Sequence, residues 1–509
     1  MKRLGDSGIL IGLMGIATAL AACPASLDDR CAEGACLPEG GDSGLDGADA
    51  NAPDAVAPED CDENADANAP EAKGCIVDSF ALFVDGASGV EGNEGTKANP
   101  LKSISAALDK VGSTGKRRIY VCGEDAYAEH VKLTTAAHLF GGFACGTWTY
   151  AGTKTKVIPT DNGYALHVEG VSAPFVISDI AFRAADVAAA NDGSHSIAGF
   201  INGSNVTLRR TDFAAGAPAD GTTGPEGGAG AITEVAGGGA KNADGYSAMG
   251  ATGGPLKTCT CSNSSQTTTG GAGGANATGG AAGTPNYSVN PPNGAPGAGA
   301  TDCGEGGSGR RGADAPAAAN AVAVTAVGIV DADGWRGARG LDATESGKPG
   351  QGGGGGGSFN VSNGGGGGAC GGCGGSPGKA GGAGGASIAL LVHESTVSLT
   401  AATLSAKSGA KGGAGGAGGA GVAGGAPGGG SCSGGAGGRG GDGGGGSGGA
   451  GGLSVGLLYK GNAPKLDAET TAAITVEGPG EKGTGGAPGV NDGPIGVAAK
   501  VQDADALPR

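Results

Sequence analysis

One stretch of this chain occurs twice without a gap, and it restricts the fold more than any other feature. Residues 196–216 read SIAGFINGSNVTLRRTDFAAG and residues 387–407 read SIALLVHESTVSLTAATLSAK. Ser196, Ile197 and Ala198 match Ser387, Ile388 and Ala389. Val206, Thr207 and Leu208 match Val397, Ser398 and Leu399, and Phe213 matches Leu404. Each copy is a set of short β-like runs followed by Gly-rich sequence. A repeated strand unit that cannot bury its apolar face alone must stack on another copy, which is the signature of a solenoid. The expected fold class is therefore all-β.

Composition narrows this further. Of 509 residues, 117 are Gly and only 4% are aromatic. Glycine has no side chain to bury, so any core must be narrow and built from Val, Ile, Leu and Ala. The net charge of −17 excludes nucleic acid as a partner, because phosphate binding needs a basic surface.

The first residues read as an export signal. Lys2 and Arg3 precede an apolar run from Gly8 to Ala22 that is shorter than the ~20 residues a bilayer span needs. It ends in Leu20-Ala21-Ala22-Cys23, which resembles a bacterial lipobox. Residues 1–22 are then a lipoprotein signal peptide, and Cys23 is the lipidated residue that ties the protein to a membrane. The implied location is the bacterial cell envelope, outside the cytoplasm. Residues 23–78 read as an acidic disordered tether; within 24–74, fourteen Asp or Glu face only Arg30 and Lys73. Asp60, Asp62, Asn64 and Asp66 alternate like calcium ligands but lack the central Gly and closing Glu, so a solvated spacer is the reading.

Thirteen Cys minus Cys23 leaves twelve, an even number that points to disulfides in an exported chain. Cys31 with Cys36, and Cys61 with Cys75, could close small loops. Cys122 and Cys145 end strand runs 23 residues apart, about one rung, and stacked strands lie ~4.8 Å apart, so this pair is expected to bridge. Cys259, Cys261 and Cys303 could staple Gly-rich sequence, and Cys370, Cys373 and Cys432 could tie down the glycine tracts. The Cys370-x-x-Cys373 spacing also suits a redox pair or half a zinc site. Neither a βαβ context nor a second ligand pair accompanies it, so a structural disulfide is the reading.

Order begins near Ser79. A strand-like FALFV run is followed by a turn-rich loop and a helical face of Ile104, Ala107, Leu108 and Val111, which Gly112 and Gly115 end. Pro100 is placed to open that helix. The segment Val84 to Leu108, VDGASGVEGNEGTKANPLKSISAAL, resembles the opening of bacterial right-handed parallel β-helix proteins of the pectin-lyase-like class. There a first strand and a G-x-D-x-N-x-G-T-x-x-x-P loop precede a capping helix. Asn93, Gly95, Thr96 and Pro100 match, and Glu91 stands where Asp is usual. The direct likeness covers about 80–147. It implies a right-handed parallel β-helix, in a class that holds polysaccharide lyases, hydrolases, adhesins and members without known activity. The Gly-rich remainder is similar in composition to exported PGRS-type (polymorphic Gly-rich sequence) proteins.

Short strands then recur at rung-like spacing. Phe175-Val176-Ile177 to Phe182 and Val206-Thr207-Leu208 to Phe213 are spaced alike, as successive rungs should be. The expected organisation is a β-helix with its capping helix over 79–213, a Gly-rich insertion over 214–386, further rungs over 387–478 and a polar tail over 479–509. A partial third copy lies at 453–459, a strand at Ile474-Thr475-Val476, and a terminal strand at Ile495-Gly496-Val497. Tracts such as GGAGGAGGA at 412–420 have the three-residue period of an extended polyproline-II-like helix. Such helices can pack side by side through their backbones; the alternative is a flexible linker.

The chemistry is sparse. Asp179, Asp192, His195, Arg209, Arg210 and Asp212 lie near one another in sequence, and a lyase or hydrolase of this class would need carboxylates or a basic residue in a groove. Charged residues at rung turns are ordinarily solvated, and the second copy replaces Arg209, Arg210 and Asp212 with Thr400, Ala401 and Thr403. No catalytic, cofactor or metal set is assigned, and no cofactor is implied. His130, His138, His167 and His393 stand alone. The functional expectation is a non-enzymatic envelope lipoprotein, structural or adhesive, with a polysaccharide or surface protein as partner. The alternatives are a polysaccharide lyase or glycoside hydrolase, and a spacer built on glycine helices.

Overall fold

The structure is a computed structural model. It describes residues 54–62, 70–123, 125–188, 193–236, 243–262, 265–287 and 293–509. Cys23, Cys31, Cys36, Asn64, Asp66 and Asp192 lie outside the described residues.

The protein is predominantly β, with long parallel sheets and few helices. Three parallel sheets of seven, six and six strands form one body, and the chain visits them in rotation. The first sheet holds Ala81–Asp85, Arg118–Cys122, His138–Phe143, Phe175–Ser178, Asn205–Arg209, Thr396–Thr400 and Lys465–Leu466. The second holds Ala126–Tyr127, Thr155–Val157, Ile180–Arg183, Asp212–Ala214, Thr403–Ala406 and Ile474–Val476. The third holds Val131–Leu133, Leu166–Glu169, Ser196–Asn202, Ser387–His393, Ser454–Lys460 and Ala498–Asp503.

Register follows from alternation, because a one-residue slip would turn the apolar side chains out of the core. In the first sheet Leu82, Ile119, Leu139, Ile177, Leu208, Leu399 and Leu466 form one inward column across seven strands. In the second, Val157, Phe182, Phe213, Leu404 and Ile474 do the same, and the Phe182 and Phe213 rings stack at 5.3 Å. The two copies of the repeat are neighbours: Ser196 pairs with Ser387, Val206 with Val397 and Phe213 with Leu404.

The amino-terminal end is covered by the helix Ile104–Thr114. Its cap is Ser103, whose hydroxyl accepts from the Ala106 amide, and Gly115 closes it in the left-handed region at φ 67°. Ile104, Ala107 and Val111 join the core. The acidic segment is not all tether: Asp54 pairs with Arg117 at 2.8 Å, the Ala55 amide donates to Gly115, and Cys61 bridges to the buried Cys75. The Cys122–Cys145 bridge forms as expected.

The Gly-rich segments leave the body at one corner, after second-sheet strands, and return at the start of third-sheet strands. They are hydrogen-bonded into a lattice. Residues 381, 384 and 387 donate to Ser447, Ala450 and Leu453, an offset of 66 that runs straight into the strand pair Ser387–His393 and Ser454–Lys460. At 221, 224, 227 and 230 the amides donate to 411, 414, 417 and 420 with an offset of 190, continuing the Ala215-to-Ser405 bond of the second sheet. The body thus sets the register of the lattice.

Glycine is required there by space. Around 351–358 the amides of Gly352, Gly353 and Gly354 donate to Thr284, Ala369 and Arg310, three different neighbours, and the pattern repeats at Gly355, Gly356 and Gly357. A Cβ on any of Gly352 to Gly357 would strike a neighbouring carbonyl. At the periphery, over 412–423, two glycines in three face neighbours and Ala417, Ala420 and Ala423 are exposed.

Several sequence expectations change. Cys370 and Cys373 do not pair with each other: one strand of the insertion, Lys257–Cys261, carries both Cys259 and Cys261 beside them, giving Cys259–Cys370 and Cys261–Cys373, while Cys303 pairs with Cys432. The insertion contains strands of its own, including the hairpin Gly328–Asp331 and Gly334–Gly337. The helix begins after Ser103 rather than at Pro100 and runs through Gly112. Residues 479–509 are no free tail: Gly480, Gly483 and Gly486 bond into the lattice, and Ala498–Asp503 is the last strand of the third sheet. That strand starts after Val497: the Gly496 amide donates to the Gly480 carbonyl in the lattice, where a Cβ on Gly496 would strike the Gly452 carbonyl.

Candidate functional site

The strands of the second sheet put apolar side chains inward, so their alternate residues face out. Lys156, Ala181, Asp212 and Thr403 form one outward row, and Arg183, Ala214 and Ser405 form the next. Small Ala residues at the centre leave two adjoining depressions of about 560 and 540 Å³. Both are lined by Ile158 and Arg183, so they form one groove.

Lys154, Lys156, Arg183 and Lys407 line this groove against the carboxylates Asp186 and Asp212. A cationic excess here contrasts with a chain of net charge −17. Lys154 Nζ lies 2.6 Å from Asp212 Oδ1, and Lys407 Nζ lies 3.1 Å from Glu477. Asp186 Oδ1 accepts from the Ala217 amide at 2.7 Å. Lys and Arg donors over a floor of small residues suit a hydroxyl-rich or anionic ligand. Each groove carboxylate is held by its own donor.

The residues singled out from sequence separate into distinct places. Asp179 and Arg210 meet at the corner between the first and second sheets. There Asp179, Arg210 and Ala401 occupy equivalent turn positions at φ 57°, 48° and 50°. Asp179 is buried. Its Oδ1 accepts from Tyr150 at 2.9 Å and Arg210 Nε at 2.7 Å; its Oδ2 accepts from Arg210 Nη2 at 2.6 Å and Ser178 at 2.7 Å. Four donors occupy both oxygens, so this carboxylate is a structural clamp with no position left for a substrate proton. Arg209 belongs to a first-sheet strand, Asp212 lies in the groove, and His195 sits where the lattice re-enters the third sheet.

The lone histidines have local roles. His130 contacts Asp161 at 3.0 Å and the Tyr164 carbonyl at 2.8 Å, which raise its pKa against the effect of burial. His167 stacks on Phe200 at 5.3 Å, and burial lowers its pKa. His138 stacks on Phe140 at 6.2 Å; burial, then Arg118, Arg117 and Arg209, push its pKa down to about 4. His393 Nδ1 contacts Asn202 Oδ1 at 2.8 Å across the two copies of the repeat.

Asp85 approaches the Cys122 and Cys145 sulfurs, but both are consumed by their bridge, as are those of Cys370 and Cys373. No thiolate ligand set or redox pair results among these cysteines. Among the described residues no helix is long and apolar enough to cross a membrane. Sequence reading missed Lys154, Lys156, Arg183 and Lys407, which come from three different strands or their ends; the only signal was the alternation of Lys156 and Arg183 with buried residues in TKV and IAFR. Comparisons with protein-family models, curated proteins and solved structures find nothing that matches this chain.

Proposed function

We propose that this protein is a non-enzymatic cell-envelope surface lipoprotein, anchored through Cys23, in which a right-handed parallel β-helix of the pectin-lyase-like kind presents a rigid surface for adhesion to polysaccharide or to a surface protein. The observation that carries the reading is the unbroken register between the sheets and the glycine lattice. A projection whose backbone bonds continue those of the body, and which disulfides pin internally, is pre-organised to hold a surface in place. The saturated Asp179 clamp supports a structural use of the acidic residues nearest the repeat.

The cationic groove favours a second reading, a polysaccharide lyase or hydrolase. Incubation with uronate and neutral polysaccharides separates the two. Retention of a polysaccharide without new reducing ends or unsaturated products is the expected outcome, and product formation would overturn the non-enzymatic reading. Metabolic labelling with a fatty-acid analogue tests the anchor: incorporation should occur and should vanish in Cys23→Ala.

A further inference from the structure

A second cleft, outside the groove, opens where the chain re-enters the third sheet. It measures about 410 Å³, and its lining includes His195, Arg336, Gly337, Arg339, Gly382 and Ala383. This size falls among small-ligand sites. Its walls come from the sheet body, the hairpin Gly328–Asp331 and Gly334–Gly337, and the lattice.

The lining is chemically one-sided. Arg336 and Arg339 are its only charged groups, and both are more than half exposed, at 61% and 70% of the side chain. Arg336 pairs with Asp331 along the hairpin, and Arg339 lies 3.8 Å from Asp342, so both carboxylates sit outside the lining. Asp342 is already held by the Ala380 amide at 2.8 Å and by Lys379 at 3.3 Å, leaving Arg339 a loose partner. A guanidinium has five donors and one ion pair uses at most two.

His195 supplies a third donor. Its Nδ1 accepts from the Ala386 amide at 3.0 Å. Burial pushes the imidazole pKa down to about 4, so the ring is neutral and its proton resides on Nε2. Nε2 bonds to no group among the described residues. A Cβ on Gly337 would crowd the Ala383 Cβ at 2.9 Å and reach only van der Waals contact, 3.8 Å, with His195 Cε1. Gly193, Gly337 and Gly382 put no side chains into the cleft.

We infer that this cleft binds an anionic sugar unit, a carboxylate or sulfate ester on a glycan, through Arg336, Arg339 and His195 Nε2–H, with the sugar ring against the glycine wall. The inference rests on the adhesive reading above and gives it a ligand class. The pair of guanidinium forks selects planar or tetrahedral oxyanions over neutral sugars.

The test uses the full chain in low-salt buffer with three probes: oligogalacturonate, a sulfated heparin-derived oligosaccharide, and a neutral xylo-oligosaccharide. Calorimetry should detect one or both anionic probes and not the neutral one, and which of them binds tells carboxylate from sulfate. Arg339→Gln, and Arg336→Gln with Arg339→Gln, should weaken binding roughly tenfold or more while leaving the melting temperature near that of the parent. Arg339→Gln alone serves if the double variant disturbs the hairpin. Unchanged affinity in the Arg339→Gln variant would sink the proposal. Binding lost instead in Lys156→Gln with Arg183→Gln would move the glycan to the groove, overturning the cleft and sparing adhesion. Binding of neither anionic probe would also overturn the cleft, and failure to bind any polysaccharide or surface partner would remove the adhesive reading with it.

Discussion

The sheet body and the glycine lattice use the same backbone hydrogen bonds in the same register, yet they are held together for opposite reasons. In the body, side chains fill the interior in columns such as Val157, Phe182, Phe213, Leu404 and Ile474. Stability there comes from apolar area removed from water. In the lattice the interior contains almost no side chains; carbonyls of neighbours occupy the space where Cβ atoms would be. Its strength comes from buried backbone groups, which are expensive to leave unpaired. The body should therefore accept swaps that conserve volume, and the lattice interior should accept none.

The sharpest way to break this comparison is Gly355→Val. The new side chain would meet the Ala272 carbonyl inside a segment buried on every side, so more than about 4 kcal/mol of stability should be lost. Amide hydrogen exchange should show the lattice open while the sheet columns stay protected. Equal protection in both regions would show that the lattice is not packed as described.

Disulfides come next. Cys259–Cys370 and Cys261–Cys373 close nearly the same loop, with separations of 111 and 112 residues. Removing one should cost little in chain entropy because the other still closes the loop; removing both should cost about 4–5 kcal/mol. Thermal unfolding of the single and paired Cys→Ser variants checks this strong non-additivity.

The body has a natural volume swap to copy. A Cβ on Gly199 would lie 2.7 Å from the Phe213 ring, and the neighbouring repeat has Leu390 and Leu404 at these two positions. Gly199→Leu alone should cost about 1–3 kcal/mol by overpacking, and Phe213→Leu alone should leave a void. The double variant should recover most of that loss, a coupling read from a double-mutant cycle.

Acid should weaken the body through His138 and, at its junction with the lattice, His195. Both fold with pKa values pushed down to about 4 from an ordinary 6.5. The unfolded chain takes up these protons below about pH 6.5 while the folded one does not. Stability is therefore full above pH 6.5, falls as pH drops toward 4, and then levels, by on the order of 1–2 kcal/mol once partial exposure is allowed for. Melting curves across this range should flatten in His138→Phe, which keeps the stack on Phe140. The smallest effect belongs to Ala417→Ser on the exposed face of the lattice, within about 0.5 kcal/mol of the parent.

Much of this was legible from residues alone. The gapless repeat placed Ser196 beside Ser387 and Phe213 beside Leu404, because alternation permits only one register per strand pair. The spacing of Cys122 and Cys145 pointed to their bridge for the same reason. The Cys370 and Cys373 pairing was not legible: their partners lie more than 100 residues away in the insertion. The groove was hidden too, since Lys156, Arg183 and Lys407 are unremarkable exposed residues until three strands align them.

The sequence by itself determined what is local and periodic. Alternating apolar residues chose strands and their inward faces, and runs of glycine marked where backbones can approach from every side. Only the tertiary structure decided which glycine segment lies against which, how the distant cysteines join, and which cations share a surface. Those outcomes depend on how successive turns of the chain close on one another, and because the glycine segments carry almost no side chains, their residues hold little record of their neighbours. The sheet body supplies that information by extending its own register outward.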